Sequence, residues 1–94
     1  MSDKLLLFVT IDLGGAELSP FEDYETRVLA LLPEHRGELL ARWRLGDGMT
    51  EHQLVAFADR SGYNSYMADE RRGAVRYLWD NSGASIKVEE VRGI

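Results

Sequence analysis

The stretch "ARWRLGDGMTEHQLVAF", residues 41–57, decides the fold, because an Asp-Gly pair in it separates two runs of alternating residues. Such a pair between two alternating runs is the strongest short-range signal for a β-hairpin. We therefore predict strands over residues 38–45 and 50–58, with the turn over residues 46–49. The rest of the chain is assigned outward from this hairpin.

The predicted turn also determines which hairpin residues face each other. A two-residue turn at Asp47-Gly48 places Trp43 opposite His52 and Arg44 opposite Glu51. One face then carries Leu39, Ala41, Trp43, His52, Leu54 and Ala56, and the other carries Leu40, Arg42, Arg44, Glu51, Gln53, Val55 and Phe57. The polar residues of the stretch therefore divide between two faces and cannot form one catalytic group within one chain.

A strand and a helix are predicted before the hairpin. Residues 4–12 are apolar on both faces, as in a strand that is covered on both sides. Ser19 as a cap, Pro20 in the first turn and Glu22 three residues after the cap predict a helix start with a capping box. Its apolar side would comprise Phe21, Tyr24, Val28, Leu31 and Leu32. Pro33 is predicted to end this helix.

A helix and a strand are predicted after the hairpin. Asp59 and Ser61 are the candidate caps of a helix over residues 62–79, and Gly73 is a candidate break in it. The last strand, half-buried, is marked by Ile86, Val88 and Val91. The order of elements is thus β-α-β-β-α-β.

This order predicts an α+β fold, a ferredoxin-like sandwich in which two helices cover one face of a four-stranded antiparallel sheet. We expect a single domain over residues 1–94. Right-handed crossovers place the first and third strands in the centre of the sheet, where we expect them to be parallel to each other.

Composition excludes several classes of protein. The chain has no cysteine, so disulfides, cysteine metal sites and thiol nucleophiles are excluded. A net charge of −5 argues against a nucleic-acid partner, and His35 and His52 lack the spacing of a metal site. Asp3 and Asp12 flank an N-terminal apolar run too short for a signal peptide or a membrane span. We expect a cytoplasmic protein with no cofactor and no membrane partner.

The first strand also predicts an assembly. Leu6 and Phe8 occupy one of its faces, and Leu5, Leu7, Val9 and Ile11 occupy the other. Two helices cover only one face of a four-stranded sheet, so apolar surface remains on the opposite face, whichever face the helices take. We therefore predict a homodimer joined sheet face to sheet face.

Four segments, "FEDYE" (21–25), "EHRGELLARW" (34–43), "LVAFAD" (54–59) and "YNSYMADERR" (63–72), carry a family resemblance. Over nearly its whole length the chain resembles the dimeric α+β barrel superfamily, and most of all a bacterial branch of small stand-alone domains. The resemblance implies two ferredoxin-like sheets packed back to back. Its relatives include cofactor-free antibiotic-biosynthesis monooxygenases, haem-degrading enzymes and muconolactone isomerases, so it implies a small-molecule pocket without selecting one reaction.

Five residues are the candidates for a site between helices and sheet. His52 and Tyr24 are the candidate catalytic groups, since imidazole and phenol move protons. Trp43 would stack on a substrate, Arg42 would balance an anion, and Tyr66 would help to bind it. The alternative is structural: His52 stacks on Trp43, the tyrosines are core residues with hydroxyls at the rim, and Arg42 makes salt bridges across the strands or between subunits.

Two functions therefore stay open. One is a cofactor-free monooxygenase or isomerase acting on a small conjugated or aromatic metabolite. The other is a non-catalytic dimer that binds a small ligand or a partner. An RNA-recognition motif has the same element order, but it needs aromatic and basic residues on the third strand, which here is "TEHQLVAFA". Spacing does not determine whether Arg71 or Arg72 turns inward, and His35 is expected to be exposed or capping at a helix end.

Overall fold

The computed structural model describes residues 4–94. Its elements are β1 (Leu5–Asp12), α1 (Leu18–Leu29), a 3-10 turn (Leu32–His35), β2 (Gly37–Arg44), β3 (Thr50–Phe57), α2 (Arg60–Met67), α3 (Glu70–Ala74), α4 (Arg76–Ser82) and β4 (Ser85–Val91). The four strands form one sheet in the order β2-β3-β1-β4. The predicted β-α-β-β-α-β ferredoxin-like fold is therefore confirmed.

The central strand β1 presents different faces to the two sides of the sheet. Leu5, Leu7, Val9 and Ile11 are buried in the core cluster with residues of α1, α2 and α4, so the helices cover this face. Leu6 and Phe8, on the opposite face, are only half-buried. The helices therefore occupy the face that carries the four buried residues.

The relative direction of the central strands corrects the prediction. β1 and β3 lie in the centre, as expected, but they pair antiparallel, with Leu5 opposite Phe57 and Asp12 opposite Thr50. The crossover through α1 makes β2 parallel to β1, and the hairpin then reverses the chain. β3 therefore enters between β2 and β1 in the opposite direction to both.

The hairpin has the predicted register but a different turn. Trp43 lies opposite His52 and Arg44 lies opposite Glu51. The turn hydrogen bond runs from the N–H of Gly48 to the carbonyl of Leu45 at 2.9 Å, and Gly48 has a positive φ of 73°. A two-residue type I′ turn requires a positive φ at both Asp47 and Gly48, and Asp47 does not have one. The turn is therefore centred on residues 46 and 47, one residue earlier than predicted.

A bulge in β2 changes the face of one residue. The register shifts between Leu39 and Ala41, so that Leu39 pairs with Val55 and Leu40 is the extra residue. Leu39 consequently packs against the core on the helix side, not on the opposite face as predicted. The register toward the turn is unaffected.

The start and end of α1 differ from the prediction. The cap is Glu17, not Ser19, and it makes no side-chain capping bond, so the capping box with Glu22 does not form. Instead, the N–H of Glu17 donates to the carbonyl of Ser82 at 2.8 Å, which fixes the helix entry to the end of α4. α1 ends at Leu29, and Pro33 lies within the following 3-10 turn. Pro33 has no N–H, but at this position no α-helical hydrogen bond is lost.

The predicted helix over residues 62–79 is three short helices. Asp59 caps α2 as expected, accepting the N–H of Gly62 at 2.8 Å. Asp69 caps α3 by accepting the N–H of Arg71, and a second break falls at Val75. Gly73 lies inside α3 and breaks nothing. The breaks bring α4 into contact with α1, where Trp79 packs against Phe21 and Tyr24.

The last strand β4 is an edge strand whose residues are all exposed, not half-buried as predicted. Ile86 and Val88 lie on the helix side of the sheet, but no helix covers them, and they are 51% and 43% exposed. None of the helices within residues 4–94 combines the length and apolarity that crossing a membrane requires. The cytoplasmic location stays a prediction.

Candidate functional site

A cavity of about 190 Å³ lies between the helices and the sheet; we call it the helix–sheet cavity. Its aromatic lining consists of Tyr24, Phe57, Tyr63, Tyr66 and Trp79, and its polar lining consists of Glu25, Gln53, Arg72 and Arg76. The exposed side chains of Met67, Ile86 and Val88 also border it and mark its mouth beside β4. The space is therefore mostly apolar, with a few polar groups directed at one place, as in small-molecule sites.

Glu25 is the titratable group that stands out in this cavity. Its side chain comes from α1, on the same buried stripe as Phe21 and Val28, and the residue is 4% exposed. Gln53 donates to Glu25 Oε2 at 3.0 Å, and no basic side chain within residues 4–94 forms an ion pair with Glu25. Burial raises the pKa of Glu25, and the Gln53 hydrogen bond offsets that rise only in part. A carboxyl group with a raised pKa in an apolar cavity is suited to accept and return protons.

A second carboxylate, Glu51, lies behind Glu25 in a different environment. Gln53 bridges the two, since its side-chain amide also lies 2.8 Å from Glu51 Oε2. Arg42 and Arg44 each donate to Glu51 through Nε, at 2.8 and 2.9 Å. Burial opposes ionisation of Glu51, but hydrogen bonds from Arg42, Gln53 and Arg44 outweigh burial and lower its pKa. Hydrogen bonds thus favour the ionised form of Glu51, whereas burial disfavours ionisation of its neighbour Glu25, and a pair separated in this way is a candidate for proton transfer.

Tyr24 and Tyr66 form the wall opposite the sheet, together with Arg72. The guanidinium of Arg72 lies 4.6 Å from the centre of the Tyr66 ring and donates to the Tyr24 hydroxyl at 3.3 Å. The Tyr66 hydroxyl donates to the carbonyl of Val28 at 2.9 Å, and burial raises its pKa to about 12. Tyr66 is thus a neutral wall residue, whereas the Tyr24 proton has no acceptor within residues 4–94.

The predicted site residues divide between two sides of the sheet. Tyr24 and Tyr66 line the helix–sheet cavity. Arg42 also lies on the helix side, but it is held by Glu51 behind the cavity wall. Trp43 and His52 lie on the opposite face, so the expected pocket that brings them together with Tyr24 does not form within the chain. The reason is geometric: residues at odd and even positions of a strand point to opposite faces, and the helices cover only the Glu51 side.

On the sheet face opposite the helices, which we call the open face, Trp43 and His52 belong to an aromatic cluster with Phe8. The His52 ring stacks on Phe8 with centroids 5.0 Å apart, and it lies 5.5 Å from the Trp43 ring. Thr10 Oγ1 lies 3.2 Å from His52 Nδ1. Trp43 remains 42% exposed, so the cluster is part of an apolar face that residues 4–94 leave accessible.

His35, predicted to be exposed or to cap a helix end, is half-buried in the last turn of the 3-10 segment. Its Nδ1 lies 2.6 Å from Ser65 Oγ and its Nε2 lies 2.8 Å from Asp69 Oδ2, and its side chain is only 15% exposed. Asp69 also accepts from Arg71, and hydrogen bonds from Arg71 and His35 hold its pKa well below its usual range. These contacts join the 3-10 turn to α2 and α3.

Comparison with solved structures shows the same fold over almost the whole chain. SnoaB, a cofactor-independent oxygenase from Streptomyces nogalater, matches 99% of this chain and 97% of its own with a TM-score of 0.68 at 15% identity. A candidate antibiotic biosynthesis monooxygenase from Caulobacter crescentus matches 99% of this chain and 92% of its own, with a TM-score of 0.75 and 11% identity. A similar candidate from Nitrosomonas europaea matches 100% and 93%, with a TM-score of 0.73 and 10% identity.

The chain therefore shares the ferredoxin-like fold of these solved structures, as its order of elements predicted. No family model matches the chain, and no curated protein matches it. At these identities the likeness concerns the fold.

Glu25, Gln53 and Trp79 line the helix–sheet cavity but were not among the predicted site residues. Glu25 had a signal that went unused, because it shares the spacing of Phe21, Val28 and Leu32 and is thus a carboxylate on an apolar stripe. Gln53 had a weaker signal, because the predicted hairpin register places it opposite Arg42. Trp79 had none, because its place depends on the breaks that turn α4 back onto α1.

Proposed function

We propose that this chain is a cofactor-free enzyme that removes a proton from a small conjugated molecule held in the helix–sheet cavity, with Glu25 as the base. The observation that carries the proposal is the buried Glu25 carboxyl in an aromatic cavity, with its pKa raised by burial. The fold shared with a cofactor-independent oxygenase supports the same class of chemistry.

The size of the cavity limits the substrate. A cavity of about 150 Å³ with apolar walls holds a benzene molecule. The helix–sheet cavity, at about 190 Å³, is slightly larger and has aromatic walls. It therefore suits a molecule with one ring and a short substituent, and a fused polycyclic molecule would have to protrude through the mouth beside β4.

Glu25, Gln53 and Tyr24 have separate roles in the removal of the proton. Glu25 takes a proton from a carbon that is activated by a neighbouring carbonyl or aromatic ring, and Gln53 holds the carboxylate in place. The negative charge moves onto a substrate oxygen as the C–H bond breaks. Tyr24, whose own proton has no acceptor in the described structure, donates to that oxygen.

The delocalised anion has two outcomes that need no cofactor. Return of the proton from Glu25 to another carbon gives an isomer. Reaction with O₂ gives a hydroperoxide, and loss of water from it leaves a carbonyl group. In that case a methylene carbon is oxidised by four electrons, one oxygen atom becomes the carbonyl oxygen, and the other leaves as water. We propose the oxygenation, because the structural neighbours include an oxygenase.

Cyclohex-3-enone tests this proposal, because its ring is small and its methylene lies between a carbonyl and a double bond. We expect the wild-type protein to consume O₂ with this compound and the Glu25→Gln variant to lose the activity. Conversion to cyclohex-2-enone without O₂ uptake would instead identify an isomerase. Binding of the ketone without any conversion would support a non-catalytic binding module and contradict the proposal.

We also propose that two copies pair through their open sheet faces, around the cluster of Phe8, Trp43 and His52. An aromatic cluster on the open face, with a 42% exposed tryptophan, supports this assembly. The half-buried Leu6 and Leu54 extend the apolar face. A face of this kind usually marks a protein interface.

A further inference from the structure

Arg72 differs from the other arginines in the middle of the chain. Each arginine from Arg27 to Arg76 except Arg72 lies within 4 Å of a carboxylate in the described structure. The groups that Arg72 contacts are all neutral: the Tyr24 hydroxyl at 3.3 Å, the sulfur of Met67 at 3.2 Å and the ring of Tyr66. The guanidinium of Arg72 therefore has no carboxylate within 4 Å among the described residues.

One donor of this guanidinium has no hydrogen-bond acceptor among the described residues. Arg72 Nε is buried from solvent and forms no hydrogen bond within residues 4–94. A buried N–H left without an acceptor is costly, and most such groups in proteins are satisfied. Arg72 lines the helix–sheet cavity, so a ligand carboxylate there would supply the anionic partner that its guanidinium lacks.

We propose that Arg72 binds a carboxylate on the ring of the substrate, so that the protein acts on one-ring carboxylates in preference to neutral molecules. A planar guanidinium without a carboxylate in contact matches a ligand carboxylate through charge-assisted hydrogen bonds. Tyr66 holds the guanidinium plane from one side, which preorganises it. Turnover of the bound carboxylate rests on the proposed function, whereas the binding site itself does not depend on turnover.

Benzoate and benzamide test the inference, because they have nearly the same size and shape and differ in charge. We expect the wild-type protein to bind benzoate at least about tenfold more tightly than benzamide by calorimetry, as one charge-assisted hydrogen bond predicts. The chain has two tryptophans, so NMR can locate the ligand. Benzoate should move the indole N–H signal of Trp79, which lines the cavity, and leave that of Trp43 in place.

Arg72→Gln should remove the preference for benzoate. Arg76→Gln is the matched control, since Arg76 also borders the cavity but already pairs with Asp80 at 3.3 Å. It should keep the preference. Should Arg72→Gln fail to fold, the benzoate-to-benzamide ratio of the wild-type protein still decides the question.

The inference is overturned if benzoate does not bind, if both compounds bind equally, or if Arg72→Gln keeps the preference. These results test the carboxylate site separately from the proposed function. Conversion of cyclohex-3-enone without benzoate binding would leave Glu25 catalysis standing and remove the carboxylate site. Arg72-dependent benzoate binding without any conversion would support the carboxylate site and contradict catalysis by Glu25.

Discussion

The side-chain amide of Gln53 lies 3.0 Å from the carboxylate of Glu25, at the wall of the helix–sheet cavity. The same amide reaches Glu51 at 2.8 Å, so one neutral group links a carboxyl that resists ionisation to one that is held ionised by two arginines. This arrangement keeps the two carboxyl groups close while giving them different protonation behaviour. The difference has measurable consequences for stability and for proton transfer.

Glu25→Gln should stabilise the fold at neutral pH. The folded protein raises the pKa of Glu25 above its ordinary value of 4.5, mainly through burial. Between that value and the raised pKa the folded state binds more protons than the unfolded state, so stability falls as the pH rises through this window. The amide of the variant does not ionise and escapes this loss. Thermal melts should show a higher midpoint for the variant at pH 8 and a smaller difference at pH 4.

Glu70→Gln is the control for that melt, because Glu70 is exposed on α3 and forms no ion pair within residues 4–94. It should shift the midpoint little at either pH. A Glu25→Gln protein less stable than the wild type at pH 8 would mean that the Glu25 carboxylate is a stabilising group, contrary to its raised pKa.

Glu51→Gln should have the opposite effect on stability. Glu51 is 1% exposed and accepts from Arg42, Arg44 and Gln53, and hydrogen bonds to a charged group contribute about 1.5–3 kcal/mol each. Since both arginines also reach Glu22, we expect a net loss of about 2–3 kcal/mol in the free energy of unfolding, measured with urea. A loss below about 0.5 kcal/mol, the size typical of surface changes, would contradict this role.

Val88→Trp should close the mouth of the cavity. Val88 is 43% exposed at the edge of the sheet, so a larger side chain fits there without disturbing the core. We expect benzoate or cyclohex-3-enone to bind about tenfold more weakly, with the melting midpoint nearly unchanged. Val88→Ala is the matched control and should bind normally. Equal affinity in both variants would show that ligands enter elsewhere.

Trp43→Glu should convert a dimer into a monomer. The substitution places a charge on the open face beside Phe8 and His52, and the 42% exposed Trp43 contributes little to the core of its own chain. Light scattering at micromolar concentration should give twice the chain mass for the wild type and the chain mass for the variant. Tyr77→Glu, at a 59% exposed aromatic residue of α4, should stay dimeric. A monomeric wild type would refute the assembly.

Local patterns predicted most of the fold. The Asp-Gly turn signal yielded the correct pairing of Trp43 with His52, because register near a turn depends on a few residues. The bulge at Leu40 and the breaks at Asp69 and Val75 were not predictable in the same way. They satisfy packing against parts of the chain far away in sequence, and local spacing does not record such contacts.

The candidate site was predicted only in part. Tyr24 and Tyr66 were found because an aromatic residue on a helix stripe points toward the sheet. Glu25 was missed because a charged residue on an apolar stripe has no local explanation until its partner Gln53 is placed against it. The choice between Arg71 and Arg72 likewise depended on tertiary contacts: Arg71 is held outside by Glu34 and Asp69, and Arg72 faces the cavity.

The most direct test of Glu25 as a base is deuterium exchange into cyclohex-3-enone, followed by NMR in D₂O under argon. Without O₂, any abstraction of the methylene proton appears as exchange or isomerisation, whatever the later reaction is. We predict that the wild-type protein accelerates this loss of the methylene signal and that Glu25→Gln slows it by about 10²–10⁴-fold. Equal rates for the wild type, the variant and buffer would contradict the assignment of Glu25 as a base.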